Sequence, residues 1–291
     1  VHDLDREAAR GFTDAGAGWA DSPAELARIV DIAITCLPSP EACRTVVAGE
    51  NGLIEGMGPG KVWIEMSTTD ATEMARLADR VAATGASVAE CPVSGGCHRA
   101  ATGNISIFAG TDRATFERIL PLLTVLGRRI LHTGDIGTAS KLKVMTNYLA
   151  TANLLTLCEA LTVMKAEGLD LATTYEAIRI SSGNSFVHET ESQLILNGSR
   201  KIDFTMDLVL KDIGLFQSLA DAAGIPLDLS PKLIEIFEDG RARYGDRAQS
   251  DDIIRRLEEA SGLDIRAPGF PAELIDDEPE ERGAEVVPAR G

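Results

Sequence analysis

Five short aliphatic runs, separated by helix-length stretches, fill the first half of this chain and leave few folds open to it. DIAITCLP (31–38), KVWIEMST (61–68), SVAECPVSG (87–95), NISIFAG (104–110) and RRILHTG (128–134) each have the length and apolar content of a buried strand. The stretches between them carry helix signals. SPAELARIV (22–30) offers Ser22 as N-cap and Pro23 at the first helical position. TTDATEMARLADRVAATG (68–85) is longer and meets Gly85 at its end. DRATFERILPLLTVLG (112–127) leads into the last strand. Strands alternating with crossover helices predict an α/β fold with a doubly wound, mostly parallel sheet, here assigned to residues 1–138.

The pattern changes after Gly137. SKLKVMTNYLATANLLTLCEALTVMKAEGLD (140–170) predicts one long helix, apolar on nearly every face. Such a helix is buried by other helices or by another subunit. Residues 139–262 are expected to form an all-α domain for substrate binding and oligomerisation. From residue 263 the chain turns rich in Pro, Gly and acids, and 263–291 is expected to be a disordered acidic tail. With 44% apolar but only 4% aromatic residues, the core must be aliphatic. A net charge of −17 argues against nucleic acid or anionic lipid as partner. No uninterrupted apolar run of about 18 residues occurs, so no membrane span is expected. The five cysteines show no CxxC spacing, which fits reduced thiols in a cytoplasmic setting. The four histidines are scattered, so no metal site is expected.

Three polar turns close strands: LPSP (37–40), STTD (67–70) and PVSGG (92–96). In open parallel sheets ligands bind beyond the carboxyl ends of the strands, and short hydroxyl residues and glycines let a ligand approach backbone N–H groups. Ser, Pro and Gly also close strands with no ligand in view, so each turn alone is weak and the three together are stronger. Further on, Lys143 and Asn147 lie four residues apart and share a helix face, whereas Lys141 points elsewhere. On an apolar helix both are costly to bury unless something polar meets them. A desolvated lysine has a lowered pKa, which suits proton transfer near neutrality. The other reading puts both at the wet start of the helix.

CPVSGGCHRAATGNISIFAG, then GTASKLKVMTNYL, then FTMDLVLKDIGLF resemble, in order and spacing, the β-hydroxyacid dehydrogenases, which include 3-hydroxyisobutyrate dehydrogenase and tartronate semialdehyde reductase. The resemblance runs from residue 1 to about 262. It implies a Rossmann-type dinucleotide domain followed by an all-α domain, and hydride transfer between NAD and a small 3-hydroxy acid. It places the substrate carboxylate on Ser94, Gly95 and Gly96. It gives the catalytic proton to Lys143 and substrate binding to Asn147, and sets Lys211 near cofactor and substrate. Leu37 and Pro38, with Ser67 and Thr68, fall on turns that touch the dinucleotide. SSGNSF (181–186) is similar to a pocket-lining segment. A homodimer or homotetramer is implied.

The chain also departs from that pattern. Arg99 stands where a glycine is usual, and Gly103-Asn104-Ile105 where Gly-Thr-Leu is usual. Ala71 replaces a frequent proline. A cation at Arg99 is placed to select a second acidic group on the substrate; the plainer reading is a solvent-facing arginine in a loop. At the front, VHDLD resembles the end of a second strand whose acid binds the adenosine ribose, so Asp3 is the expected NAD-selecting acid. Leu4 and Asp5 follow it, and two acids there repel a 2′-phosphate, predicting NAD over NADP. No GxGxxG lies between a strand and a helix. A parent chain longer by about 25–30 residues, the size that completes a βαβ unit, is therefore expected. The competing reading is a truncated chain without dinucleotide binding that acts as a helical oligomerisation or binding module. An NADPH-dependent imine reductase fits less well, because Lys143 is present.

Overall fold

The computed structural model describes residues 1–289 and divides into two compact units. The first takes Val1–Ser94, Ile105–Lys143 and the chain from Glu281; the second takes Gly95–Asn104 and Val144–Glu280.

In the first unit, α1 (Arg10–Asp14) and α2 (Pro23–Ile29) precede β1 (Ile32–Thr35), α3 (Pro40–Ala48), β2 (Val62–Glu65), α4 (Ala71–Ala82), β3 (Ser87–Glu90) and β4 (Val93–Ser94). After α5 (Cys97–Ala101), which belongs to the second unit, come β5 (Ser106–Gly110), α6 (Arg113–Leu126) and β6 (Arg129–Gly134). The sheet order is β1-β2-β3-β5-β6-β7, where β7 is Ala284–Glu285, and β4 pairs with β5 off this path. The pairs β1/β2, β2/β3, β5/β6 and β6/β7 are parallel; β3/β5 and β4/β5 are antiparallel. The mostly parallel sheet expected from the sequence is present.

Burial on both faces explains why these strands are nearly continuous aliphatic runs. Side chains alternate across the sheet. Val62, Ile64, Ala89, Ile107 and Ile130 pack with Phe116, Ile119 and Leu123 of α6. Ala33, Trp63 and Val88 pack on the other side with Ala27, Cys43, Val47, Met74, Leu77 and Val81. Ser22 caps α2 as expected, its Oγ accepting from the Glu25 N–H. The run 87–95, expected as one strand, is two. Cys91 and Pro92 interrupt it, and Pro92 has no N–H to give a ladder. The expected strand end at VHDLD is absent: Val1–Asp3 joins no sheet. The Val1 carbonyl accepts from the Ala20 N–H, and the Asp3 carboxylate accepts from the Asp5 N–H.

The second unit is helical. α7 (Thr138–Ala166) enters it after Lys143, followed by α8 (Leu171–Arg179), α9 (Phe186–Asn197), α10 (Met206–Ala223), α11 (Leu229–Tyr244) and α12 (Arg255–Ser261). By length and composition α7 is long and apolar enough to cross a membrane, which the sequence reading did not expect. Its Leu154, Leu155, Leu157, Cys158 and Leu161 instead join the core of this unit, with Leu171, Val187, Ile195, Val209, Ile213 and Phe237.

For residues 263–289 the expectation of a disordered tail is overturned; its last two residues, 290 and 291, lie outside the described residues. Ile265 is fully buried, and Phe270 packs edge-on against Tyr175 in the helical core. The Ala267 N–H bonds the Leu196 carbonyl, and Asn197 Nδ2 bonds the Phe270 carbonyl. Asp276 and Glu278 bond residues of the 95–104 segment. In the first unit β7 adds a parallel strand to β6, with Arg113 gripping Glu285 through two hydrogen bonds of 2.6 and 3.0 Å. Composition counted the tail acids as solvated charge; their arginine partners lie more than 150 residues earlier and were invisible to it.

One buried group gives the helical unit a pH dependence. Asp251 is 0% exposed and its carboxyl shares a hydrogen bond with that of Glu191. Burial, reinforced by the neighbouring Glu191 carboxyl, raises its pKa well above the carboxylate range. Burial likewise pushes Glu191 up to about 7. The folded protein thus holds protons that the unfolded chain releases near pH 4, roughly. Their stabilisation is complete below that pH and is lost as pH rises through about 7. The melting temperature is expected to fall from about pH 6 to about pH 8.5, and Asp251→Asn to flatten that fall. Equal slopes for both proteins by differential scanning calorimetry would contradict the assignment.

Candidate active site

The turns after β1 and β2 sit side by side because their strands are parallel neighbours, and one buried carboxylate ties them together. Glu65, fully buried at the end of β2, accepts on Oε2 from Thr35 Oγ1 at 2.5 Å and from Cys43 Sγ at 3.0 Å. On Oε1 it accepts from the Ser67 N–H at 2.7 Å. Ser67 Oγ in turn accepts from the Leu37 N–H at 2.6 Å. Burial beside Glu65 drives the Cys43 thiol pKa far up, so this cysteine is a hydrogen-bond donor and not a nucleophile. Ser39 caps α3 and Asp70 caps α4, which start directly after these turns. Leu37, Pro38, Ser67 and Thr68 are therefore brought together. Asp3 is exposed, and its carboxylate bonds locally, to the Asp5 N–H.

A second buried carboxylate closes β3. Glu90 lies against the start of α7, where Oε1 accepts from the Ala139 N–H at 2.7 Å and the Ser140 N–H at 3.3 Å, and Oε2 accepts from Ser140 Oγ at 2.5 Å. Helix starts present unpaired N–H groups and positive potential, so a carboxylate fits there. Burial raises the Glu90 pKa, and the bonds from Ser140 and the helix N–H groups oppose that rise. Room for it comes from Gly110, whose added Cβ would stand 2.5 Å from Glu90 Oε1. Lys143 follows within the first turns of α7 and is only 7% exposed, so it is not at a wet, frayed helix start. Sequence reasoning missed Glu90; its signal was an acid closing the strand of ECPVSGG.

Ser94, in β4, pairs with Ser106 of β5. Gly95 and Gly96 then turn the chain at φ values of +138° and +84°, which side chains rarely adopt, so this turn demands its glycines.

In the helical unit, Asn147, one turn beyond Lys143 on α7, donates from Nδ2 to Asp212 Oδ2 at 2.5 Å. Lys211 Nζ lies 3.1 Å from Asp212 Oδ1. Asp212, itself buried, thereby links two predicted site residues, Asn147 and Lys211, and sequence reasoning had passed over it beside Lys211 in the KD pair. Tyr148 stacks on Phe216 at 4.3 Å and braces α7 on α10. Arg99 lies on α5, not in a solvent loop: it pairs with Glu278 at 2.8 Å and its guanidinium lies over the Phe186 ring at 4.8 Å. The segment 181–186 thus ends at an aromatic face under Arg99.

The chain is similar along most of its length to known proteins. Residues 1–134 match a family model described as the NAD binding domain of 6-phosphogluconate dehydrogenase. Residues 137–257 match one described as NAD-binding of NADP-dependent 3-hydroxyisobutyrate dehydrogenase. The chain is 32% identical over 251 residues to 2-(hydroxymethyl)glutarate dehydrogenase of Eubacterium barkeri, covering 86% of this chain and 83% of that protein. The chain belongs to the β-hydroxyacid dehydrogenase family. A further member, 3-sulfolactaldehyde reductase of Escherichia coli strain K12, is 29% identical over 90% of this chain and 89% of its own length. The crystal structure of 3-hydroxyisobutyrate dehydrogenase from Salmonella typhimurium superposes with a TM-score of 0.79 at 27% identity, covering 88% of this chain and 90% of the other. The family is one of oxidoreductases that use a nicotinamide dinucleotide, and its members named here act on different small molecules.

The Glu90 cap depends on an empty space at residue 110. Gly110→Ala must push the carboxyl off the α7 N-terminus or shift β5, and an overpacked site of this kind costs about 1–3 kcal/mol. Equilibrium urea unfolding checks this; an unchanged midpoint would show that Gly110 is not what admits Glu90.

Proposed function

We propose that this chain interconverts a small 3-hydroxy acid of the 3-hydroxyisobutyrate type and its carbonyl product, with NAD as cofactor. The observation that carries the reading is Lys143, a buried lysine on a helix whose start is held by the Glu90 carboxylate. Lys143 takes the hydroxyl proton when the acid is oxidised and returns it in the reverse direction. Asn147, its amide fixed by Asp212, orients the substrate. The Ser94-Gly95-Gly96 turn offers a hydroxyl and unhindered backbone N–H groups to the substrate carboxylate. Lys211, paired with Asp212, adds positive charge for an anionic substrate and cofactor.

The donor set suits a dinucleotide in part. The paired turns at Leu37–Pro38 and Ser67–Thr68 lie beyond the carboxyl ends of two parallel strands, where such ligands bind. These four residues would hold it there, and Asp3 would meet the adenosine ribose. When bound, the cofactor accepts or donates the hydride at the substrate carbon. Asp3 and Asp5 support NAD over NADP, since neither offers a cation to a 2′-phosphate. The exposed apolar residues of α7, Leu149 and Val163 among them, support a homodimer or homotetramer. Five free thiols support a cytoplasmic location.

A panel of 3-hydroxyisobutyrate, glycerate and serine, with NAD and NADP compared directly, tests the reading. NAD is expected to be preferred, and Lys143→Ala to lower kcat by about 10²–10⁴-fold. Turnover that survives in this variant removes Lys143 from the mechanism, and a preference for NADP removes Asp3 as the selecting acid.

A further inference from the structure

The strongest unexplained feature is the way the chain's own C-terminal segment lies on the residues that follow the glycine turn. Three side chains of the 95–104 segment hold it. Arg99 pairs with Glu278 at 2.8 Å. Thr102 Oγ1 donates to Asp276 Oδ2 at 2.5 Å. Asn104, fully buried, donates from Nδ2 to Asp276 Oδ2 at 2.7 Å and to the Glu278 carbonyl at 3.1 Å.

This strap is built unlike the rest of the tail. Residues 271–280 hold no buried side chain, no helix and no strand, and Ile275 is 84% exposed. Before it, Ile265 and Phe270 anchor the chain in the helical core; after it, β7 joins the sheet. Between them the strap is held by polar contacts, of Asp276 and Glu278 with the 95–104 segment and of Glu273 with Lys201. The Arg99 and Glu278 side chains remain 22% and 29% exposed, so water and dissolved anions reach the pair. A partly exposed ion pair is worth little, so a carboxylate tethered beside it can take the place of Glu278. The guanidinium is meanwhile kept in place without Glu278, because it also lies over the Phe186 ring. Arg99 is thus a pre-positioned, always-charged fork for a carboxylate, three residues beyond Gly96.

We propose that Arg99 is an anion-binding residue beside the substrate turn, that Glu278 of the strap occupies it at rest, and that a dicarboxylic ligand displaces Glu278. The proposal rests on Ser94-Gly95-Gly96 receiving the substrate's first carboxylate. One carboxylate of the ligand takes that turn and the other takes Arg99. A monocarboxylate satisfies the turn and leaves the strap down. Substrate choice is then set by competition between a carboxylate of the ligand and one of the protein.

Hydrogen–deuterium exchange of the 291-residue chain tests this without turnover. The probes are glutarate, isobutyrate, and sodium chloride at matched ionic strength. Glutarate is expected to speed exchange across 275–280 by about fivefold, the worth of roughly 1 kcal/mol. Isobutyrate and sodium chloride are expected to leave it unchanged. Arg99→Ala and Glu278→Gln are each expected to start from faster exchange and to show no glutarate response. Exchange indifferent to glutarate in the unaltered chain overturns the proposal, as does an equal response to sodium chloride or isobutyrate. The two readings fail separately. Turnover of 3-hydroxyisobutyrate without a glutarate response defeats this inference alone. A glutarate response with no turnover of any 3-hydroxy acid defeats the proposed function alone.

Discussion

The contact between the Glu90 carboxylate and the first turn of α7 is the constraint on which the rest of the site depends. It joins the end of β3 to the start of the helix that carries Lys143 and Asn147. The opposing free energies are both large. Removing a carboxylate from water costs several kcal/mol, about as much as three charge-assisted hydrogen bonds at roughly 1.5–3 kcal/mol each return. Such a balance holds only while all three donors stay in place. Glu90 therefore fixes the α7 start in register and direction, and every side chain farther along the helix inherits that register. Gly110 is the other half of the arrangement, because the adjacent strand must supply a residue without a Cβ at that point. A strand residue, a glycine on its neighbour and a serine on a helix, distant in sequence, thus set the place of one lysine.

Glu65 repeats the device one strand over. Both acids close a strand, both are fully buried, and both turn one oxygen to backbone N–H groups, of Ser67 in one case and of the α7 start in the other. The effect differs with the partner. Glu65 ties two turns to each other, whereas Glu90 ties a strand to a helix. In a sheet covered on both faces, a polar side chain at a strand end survives only if the next segment pairs with it. The strand ends where a ligand would approach are therefore tied to the segments that follow them, which suits a site that must hold its geometry.

Much of this was legible in the sequence, and the features that escaped it share a cause. Strand and helix positions came from local pattern: β1, β2, β5, β6 and α2 each fall inside the stretch expected for them, with Ser22 as cap. The long apolar run became α7, which stops at Ala166 instead of residue 170 because Asp170 caps the next helix. Lys143 and Asn147 stood out because polar residues on an apolar helix need a partner. Asp212, which meets Asn147, and Glu90, which holds the start of their helix, were not found. Each is tied to its site by contacts about 50 and 65 residues away, and pattern reading weighs only near neighbours. VHDLD failed as a strand for a related reason, since a strand exists only through the neighbour it pairs with.

The tail shows the same limit from the side of charge. An acid-rich, Pro-rich segment lacks the apolar residues that offset the entropy of ordering a chain, and on composition it belongs with disordered sequences. Its order comes from contacts that are spread thinly: Ile265 and Phe270 in one core, a two-residue strand on β6, and acids matched singly to Arg99, Arg113 and Arg128. No one of these contacts would hold the segment, because a surface ion pair contributes about 1 kcal/mol or less. Together they do, because each contact made shortens the free loop that the next must close. Two of the positions that depart from the family pattern, Arg99 and Asn104, are also two that hold the strap. These departures and the tail are thus parts of one structure. Between its two anchors the strap meets the protein where its acids reach the residues just beyond the glycine turn.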